Sequence, residues 1–175
     1  MGYDGTQLRS HFAYETFGIR GDSVVAWVGP VRVEGEHLVD LADRKDGLFI
    51  AGESMLHFIV ESFGPSLEGA VFRQRLLVLL LREALGERGV AGLRRRGDDL
   101  FVHEGKLSVS IATVSATSSL VHLGINVRQA GTPVATAALE DLGIEPFTFA
   151  EALLDRFSNE IRSMQSATWK VRSVP

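Results

Sequence analysis

One long apolar segment constrains the fold of this chain more than any other stretch. Residues 69–85 are too many for a single strand, consist largely of good helix formers, and carry apolar residues on more than one narrow stripe. This pattern predicts a deeply buried helix packed on a sheet. Segments rich in β-branched residues flank it at 22–33, 55–63, 106–114 and 120–127. We therefore expect an α+β fold in which helices pack on a mixed, mainly antiparallel sheet.

Composition and charge limit the classes of protein to consider. A length of 175 residues suits a single domain spanning 1–175. The formal net charge of −4 argues against nucleic acid as a partner, because such proteins carry an excess of Lys and Arg. The absence of cysteine excludes disulfides, thiolate metal sites and thiol nucleophiles. With no signal peptide and no apolar run near the ~20 residues that span a bilayer, we expect a cytoplasmic protein without membrane contacts.

Turn and capping residues divide the remainder of the chain into smaller elements. Gly18 is expected to end a first helix, and Gly105 to supply the positive φ of a hairpin turn. Thr148 and Glu151 form a capping-box pattern at the start of the last helix. The predicted elements are a helix at 5–17, two strands in 22–33 separated by a bend at Gly29–Pro30, a strand pair in 92–107 turning at 103–105, a polar break at 131–133 and a helix at 135–142.

A lysine stands at the start of a strand in which small residues alternate with larger ones. An ammonium at the mouth of a pocket can pair with a carboxylate or polarise a carbonyl oxygen, so Lys106 is the candidate catalytic residue. Small side chains beside it leave room for a slender ligand, although they suit a strand packed closely against a helix equally well. On this interpretation Ser108, Ser110 and Ala112 face the ligand, while Leu107, Val109 and Ile111 fill the core.

Two histidines lie in apolar strands and require partners. His57 and Glu61 share a face of one strand, and His122 lies in another, close in sequence to Asn126. The three titratable groups could form a metal site or an acid–base pair. We favour histidines hydrogen-bonded to backbone carbonyls, predict no metal site, and keep His57, His122 and Asn126 as candidate ligand-binding residues.

Charged residues elsewhere offer weaker candidates. Asp40 and Asp43 could bind a cation or an amine, but aspartate is common in turns and the turn interpretation is favoured. The run 94–96 contains three arginines that could contact a phosphate. Because side chains alternate along a strand, Arg95 points away from its two neighbours, and a solvated edge strand is equally compatible with the run.

The segment 95–106 resembles part of the biotin protein ligases. In those enzymes a Lys-Trp-Pro-Asn-Asp motif precedes a strand and then a lysine; here Arg-Arg-Gly-Asp-Asp ends at Asp99, and Lys106 follows at the same distance. The residues 123–127, Leu-Gly-Ile-Asn-Val, are similar to the Gly-Ile-Asn-Val strand of those ligases. Over its whole length, including 4–8, 21–25, 55–61 and 106–113, the chain resembles domain-of-unknown-function family 366.

The resemblance implies a biotin and lipoate ligase-like fold, related to class II aminoacyl-tRNA synthetases, with Asp99, Arg95 and Lys106 at the site. It implies a small carboxylate or acyl ligand, and ATP with magnesium if the protein is a ligase. The glycine- and arginine-rich loop that holds the adenylate phosphate in biotin ligases is not present, since 48–55 reads Leu-Phe-Ile-Ala-Gly-Glu-Ser-Met. The cysteine of octanoyltransferases is also absent.

Two functions follow as alternatives. The first is a ligase-like or acyltransferase-like protein that binds a carboxylate or acyl compound beside Lys106. The second is a non-catalytic ligand-binding or assembly module that kept the fold without the nucleotide loop. A homodimer is compatible with either function. Titration with ATP and with biotin, lipoate, octanoate and amino acids separates the two.

Overall fold

A computed structural model describes residues 1–128 and 135–174, and the polar break predicted at 131–133 lies outside these ranges. The strands are β1 (Ser23–Val33), β2 (Ile50–Phe63), β3 (Leu93–Arg96), β4 (Asp99–Val102), β5 (Gly105–Lys106), β6 (Ser108–Val114) and β7 (Ser118–Asn126). The helices are α1 (Phe12–Phe17), α2 (Leu41–Lys45), α3 (Leu67–Glu87) and α4 (Pro146–Thr168), with short 3₁₀ turns at Gly35–His37 and Glu140–Leu142. Within the described ranges no helix is both long and apolar enough to cross a bilayer.

A four-stranded antiparallel sheet in the order β1-β2-β7-β6 forms the centre of the fold. Its two inner strands, β2 and β7, are buried along most of their length because both faces of the sheet are covered. The helices α3 and α4 pack on one face, and α1 with the amino-terminal segment packs on the other. The prediction of a mixed, mainly antiparallel α+β fold is therefore confirmed.

The long apolar segment forms the helix that the sequence predicts. The structure extends it by two residues at each end, with Ser66 accepting a hydrogen bond from the backbone of Gly69 at the N-cap. Leucines 77, 81 and 85 are fully buried against β6 and β7, and each contributes about 1.5–3 kcal/mol. The expected burial is thus confirmed, and α3 closes one face of the sheet.

The strands after α3 form a second, three-stranded sheet in the order β3-β4-β5, where the sequence predicted a single pair. Gly97, at φ 65°, permits an additional tight turn between β3 and β4. In the predicted turn, His103 has the positive φ of 51° in place of Gly105. Gly105 has another role: a Cβ there would lie 2.8 Å from the backbone nitrogen of Ala137. The segment after residue 134 therefore packs directly on β5.

Several element boundaries differ from the prediction for local reasons. Residues 5–11 form turns that precede α1, because His11 is left-handed at φ 62°. The Gly29–Pro30 step produces a register shift within one continuous strand, β1. The last helix begins at Pro146, where the Glu145 carboxylate accepts from the two following backbone amides, so the predicted capping box is wrong.

The predicted helix at 135–142 is also wrong. Residues 135–137 run beside Lys106 and exchange two backbone hydrogen bonds with it, and the backbone N–H of Leu139 donates to the carbonyl of Asn126. Only Glu140–Leu142 turns, as a 3₁₀ helix. Alanine-rich sequence favours a helix locally, but here the backbone groups complete the edge of β5. This arrangement determines the position of Lys106.

Candidate functional site

A cavity of about 330 Å³ opens on the sheet face opposite α3 and brings several of the predicted site residues together. We call it the Lys106 cavity. Its lining residues are Tyr3, Val33, His37, Leu38, Val39, Asp40, Asp43, Ile50, Asp98, Asp99, Lys106, Val109, Ser110, Ile111 and His122. Four of the predicted residues, Asp99, Lys106, Ser110 and His122, are therefore in one place.

Lys106 is held firmly through its backbone. Its N–H donates to the carbonyl of Ala135 at 3.0 Å, and its carbonyl accepts from the N–H of Ala137 at 3.1 Å. The same carbonyl accepts from the side-chain amide of Asn126 at 3.0 Å, and that amide also reaches the carbonyl of Ala137 at 3.2 Å. Asn126, predicted to contact a ligand, instead joins β7, β5 and the 135–137 segment.

The ammonium of Lys106 pairs with Asp99 across 2.8 Å, and each side chain is about one-third exposed. The two residues lie on the paired strands β4 and β5, in a diagonal relation. An ammonium has three N–H donors, so the contact with Asp99 orients the group and leaves donors for a ligand. The resemblance implied that both residues belong to the site, and the structure brings their side chains into contact.

The histidines form a buried chain whose hydrogen-bond geometry defines their tautomers. His57 Nε2 lies 3.1 Å from the carbonyl oxygen of Gly29, which can only accept, so Nε2 carries the proton. His57 Nδ1 is then an acceptor in the neutral ring, and it lies 3.1 Å from His122 Nε2, which must donate. The proton of His122 is thus on Nε2, and its Nδ1 has a free lone pair.

Burial keeps both rings neutral. Desolvation lowers the pKa of His57 to about 4 and lowers that of His122 well below its usual value, with repulsion from His57 as the second cause. Tyr3 stacks on His122 with ring centroids 3.7 Å apart, and burial raises the pKa of its hydroxyl. The rings of Tyr3 and His122 line the cavity, and His122, neutral with its proton on Nε2, has Nδ1 as a hydrogen-bond acceptor.

Glu61 does not join the histidine pair. Its two carboxylate oxygens accept from the backbone N–H of His11 at 2.8 and 3.0 Å, and one also accepts from the hydroxyl of Ser118 at 2.7 Å. These bonds stabilise the left-handed backbone at His11, just before α1. Within residues 1–128 and 135–174, no three His, Asp or Glu side chains form a group able to hold a metal ion.

The small-residue face of β6 points toward α3, contrary to the expectation. Ser108 is 1% exposed, and its hydroxyl accepts from the backbone N–H of Leu100 at 3.2 Å. Ser110 accepts from Gln74 of α3 at 2.9 Å and donates to Asp98 at 3.2 Å, so it touches only the edge of the cavity. The cavity wall is formed by Val109 and Ile111. Small side chains allow α3 to approach, which is the packing alternative that the sequence left open.

Two other predicted residues lie away from the cavity lining. His57 is fully buried behind His122, so it affects a ligand only through that ring. Arg95 is exposed on β3, where its guanidinium donates to the carbonyl of Gly97. The predicted phosphate contact of Arg95 therefore does not extend to this site.

On one side the cavity is lined by carboxylates for which the sequence favoured a role in turns. Asp40 caps α2, accepting from the backbone of Ala42 at 2.8 Å, yet its side chain also borders the cavity, as does that of Asp43. Tyr3 had no sequence signal at all. It reaches the cavity because its backbone pairs with β1 beside Val31. Within residues 1–128 and 135–174, four carboxylates and one lysine line this space.

Comparison with known proteins gives a family and a fold. The model of a family described as Domain of unknown function (DUF366) matches residues 1–172. An uncharacterised protein of Methanocaldococcus jannaschii is 38% identical over 151 residues, covering 83% of this chain and 68% of that protein. A solved protein of unknown function from Pyrococcus horikoshi has a TM-score of 0.95 at 42% identity, covering 100% of this chain and 94% of that one.

A more distant structural similarity concerns an enzyme. Biotin protein ligase from Aquifex aeolicus, solved in complex with biotin and ATP, has a TM-score of 0.61 at 17% identity. The match covers 94% of this chain and 69% of that one. At this identity the similarity demonstrates the fold, and the predicted ligase-like fold is confirmed.

Proposed function

Since the chain belongs to the DUF366 family of unknown function and has the fold of biotin protein ligases, we propose that it binds a small carboxylate or acyl ligand in the Lys106 cavity. The observation that carries this proposal is the position of Lys106. The residue lines a cavity of ligand size, its backbone is fixed by three hydrogen bonds, and its ammonium is oriented by Asp99. A lysine held in this way is preorganised to meet a negatively charged oxygen.

The chemistry available to Lys106 is charge stabilisation. Its spare N–H donors pair with a carboxylate, or with the carbonyl oxygen of an acyl group on which negative charge develops during transfer. The partly enclosed setting strengthens this interaction compared with open water. The apolar side chains Val109 and Ile111 would contact the hydrocarbon part of the ligand. We propose an acyl-transfer or ligase-type activity on this basis.

The residues near the cavity do not fit the nucleotide loop of a ligase. Most of 48–55 belongs to β2, which is paired with β1 from Ile50 onward. Its one glycine, Gly52, is closely packed, because a Cβ added there would lie 3.2 Å from a methyl group of Val31. A strand engaged in pairing cannot offer a cluster of free amides to a phosphate. We therefore derive no adenylate step, and this observation favours the second candidate, a non-catalytic ligand-binding module.

Calorimetric titration of the purified protein with octanoate, lipoate, biotin and amino acids tests the proposal. We expect at least one carboxylate to bind. In the Lys106→Gln variant its affinity should fall roughly tenfold to a hundredfold, the usual worth of a hydrogen bond to a charged group. The matched control is Lys45→Gln, an exposed lysine of α2 outside the cavity lining. Unchanged affinity in Lys106→Gln, with control and variant equally folded, would contradict the proposal.

The same titration separates the two candidates. Heat on adding ATP with magnesium, followed by pyrophosphate release when a carboxylate is present, supports a ligase-type activity. Binding of a carboxylate that ATP leaves unaltered, with no pyrophosphate formed, supports the non-catalytic module. Both results require Lys106, so the choice between them does not affect the location of the site.

A further inference from the structure

We propose that the ligand of the Lys106 cavity carries a protonated amine as well as its carboxylate, as an amino acid with an apolar side chain does. This inference rests on the proposed function and specifies its substrate class. The charge of the cavity, the hydrogen-bonding groups that it presents and its apolar walls support this assignment.

The cavity has more negative charge than a simple carboxylate ligand tolerates. Among the described residues that line it, Lys106 is the one lysine or arginine, and its ammonium is already paired with Asp99. Asp98 is compensated from outside the cavity by Arg75 at 3.4 Å and by the amide of Gln74 at 3.0 Å. Asp40 and Asp43 form no ion pair with any described residue. A ligand that brings only negative charge would be repelled, whereas an ammonium would compensate these two carboxylates.

The carboxylates of Asp40 and Asp43 differ in the number of hydrogen bonds that they accept. One oxygen of Asp40 accepts the backbone N–H groups of Ala42 and Asp43 as the cap of α2. Asp43 is partly buried, and its carboxylate accepts no hydrogen bond from any described residue, although its backbone N–H and carbonyl are bonded. An unpaired, partly buried carboxylate is costly unless a cation joins it. Asp43 is therefore the best-placed partner for a ligand amine.

A second observation, independent of the carboxylates, also indicates a hydrogen-bond donor on the ligand. His122 is 4% exposed, and its hydrogen bond to His57 leaves the lone pair of Nδ1 without a partner among the described residues. The residue lines the cavity. A buried acceptor of this kind requires an N–H or O–H donor. An amine satisfies His122 and the carboxylates together.

The walls of the cavity limit the rest of the ligand. Five aliphatic side chains contribute apolar surface, and the volume of about 330 Å³ is at the small end for ligand pockets. The space therefore suits a compact molecule with a hydrocarbon body. The aliphatic wall consists of Val33, Leu38, Ile50, Val109 and Ile111, to which the exposed Val39 adds at the rim.

A divalent cation could also compensate the carboxylates, but the geometry favours an amine. No group of three or more His, Asp or Glu side chains able to ligate one ion occurs within residues 1–128 and 135–174. Magnesium takes six oxygen ligands in a near-ideal octahedron and calcium takes six to eight, with water supplying part of each set. An ammonium requires only three acceptors in a loose arrangement, which fits carboxylates and a ring nitrogen on separate elements.

Matched ligands test the inference directly. Octanoate, 2-aminooctanoate and 8-aminooctanoate share a chain length and a carboxylate but differ in the amine. We expect one of the amino acids to bind the wild-type protein about tenfold or more tightly than octanoate. The Asp43→Asn variant should lose this advantage, while its affinity for octanoate should be equal or higher, because one repelling carboxylate has been removed. Asp46→Asn, an exposed carboxylate at the end of α2 outside the cavity lining, is the control and should retain it.

Each remaining outcome overturns a distinct claim. Equal binding of the three acids, with dependence on Lys106, would overturn the amine and leave the proposed function standing. A gain of octanoate affinity on adding magnesium, with none from the amine, would assign the compensating charge to a metal ion and also overturn it. Binding that is the same in Lys106→Gln, or no binding of any acid in the full panel, would overturn the proposed function itself.

Discussion

At the scale of single residues, the two buried histidines couple stability to pH. In the unfolded chain each ring has an ordinary pKa near 6.5, while burial lowers the pKa of His57 to about 4 in the folded protein and that of His122 well below its ordinary value. Between these values the unfolded chain binds more protons. Stability is therefore complete above about pH 6.5 and falls as the pH is lowered toward 4. His57 alone should remove about 2 kcal/mol between pH 7.5 and pH 5.

Urea unfolding at pH 7.5 and pH 5 measures this loss. Proton NMR titration of the folded protein gives a second measurement, in which the pKa of His57 should be about 4 and that of His122 should lie well below its ordinary value. If the ring of His57 titrated near pH 6.5 in the folded state, the tautomers assigned here would be wrong, because His57 Nδ1 would then carry a proton and could not accept from His122.

At the scale of elements, the contact between β5 and the 135–137 segment positions the site. A Cβ at Gly105 would lie 2.8 Å from both the nitrogen of Ala137 and the carbonyl carbon of Thr136, which is too close for either backbone to remain in place. Gly105→Ala should therefore destabilise the protein by about 1–3 kcal/mol. It should also weaken ligand binding, because the same segment fixes the backbone of Lys106.

The matched control for that prediction is the same substitution in a helix. Gly86 lies in the last turn of α3, has no positive φ, and has no atom within 4 Å of an added Cβ. Gly86→Ala should stabilise the protein by about 0.5–1 kcal/mol and leave ligand affinity unaltered. Urea unfolding of both variants decides the matter. If Gly105→Ala were as stable as the wild type, the close packing of this segment on β5 would be wrong.

The helices also illustrate which elements a sequence predicts well. The segment that became α3 has a strong apolar signal over many residues, so local and tertiary preferences agree. The stretch 135–142 has helix-forming alanines but few residues, and the edge of β5 offered its backbone better hydrogen bonds. Short elements therefore depended on neighbours that are remote in sequence, and their type could not be predicted from propensity alone.

At the scale of the whole molecule, the candidate site includes residues far in sequence from the strand that begins at Lys106. The spacing of Asp99 and Lys106 could be identified in the sequence because both residues belong to one hairpin. The orientation of β6, whose small residues face α3 and not the cavity, could not be identified in the sequence. The strand is interrupted at Leu107, and its small residues allow α3 to pack closely. Tyr3, Asp43 and His122 come from three remote parts of the chain, and only the assembled fold brings them to one cavity.

The location of a bound ligand tests the central claim most directly. The measurement is a crystal structure of the protein with the tightest-binding acid from the titrations. We predict that a carboxylate oxygen lies about 2.7–3.2 Å from Lys106 Nζ, with the hydrocarbon against Val109 and Ile111. A molecule bound instead in the cleft between the sheet and α4, beside Arg73 and Arg162, with no acid at Lys106, would contradict the account.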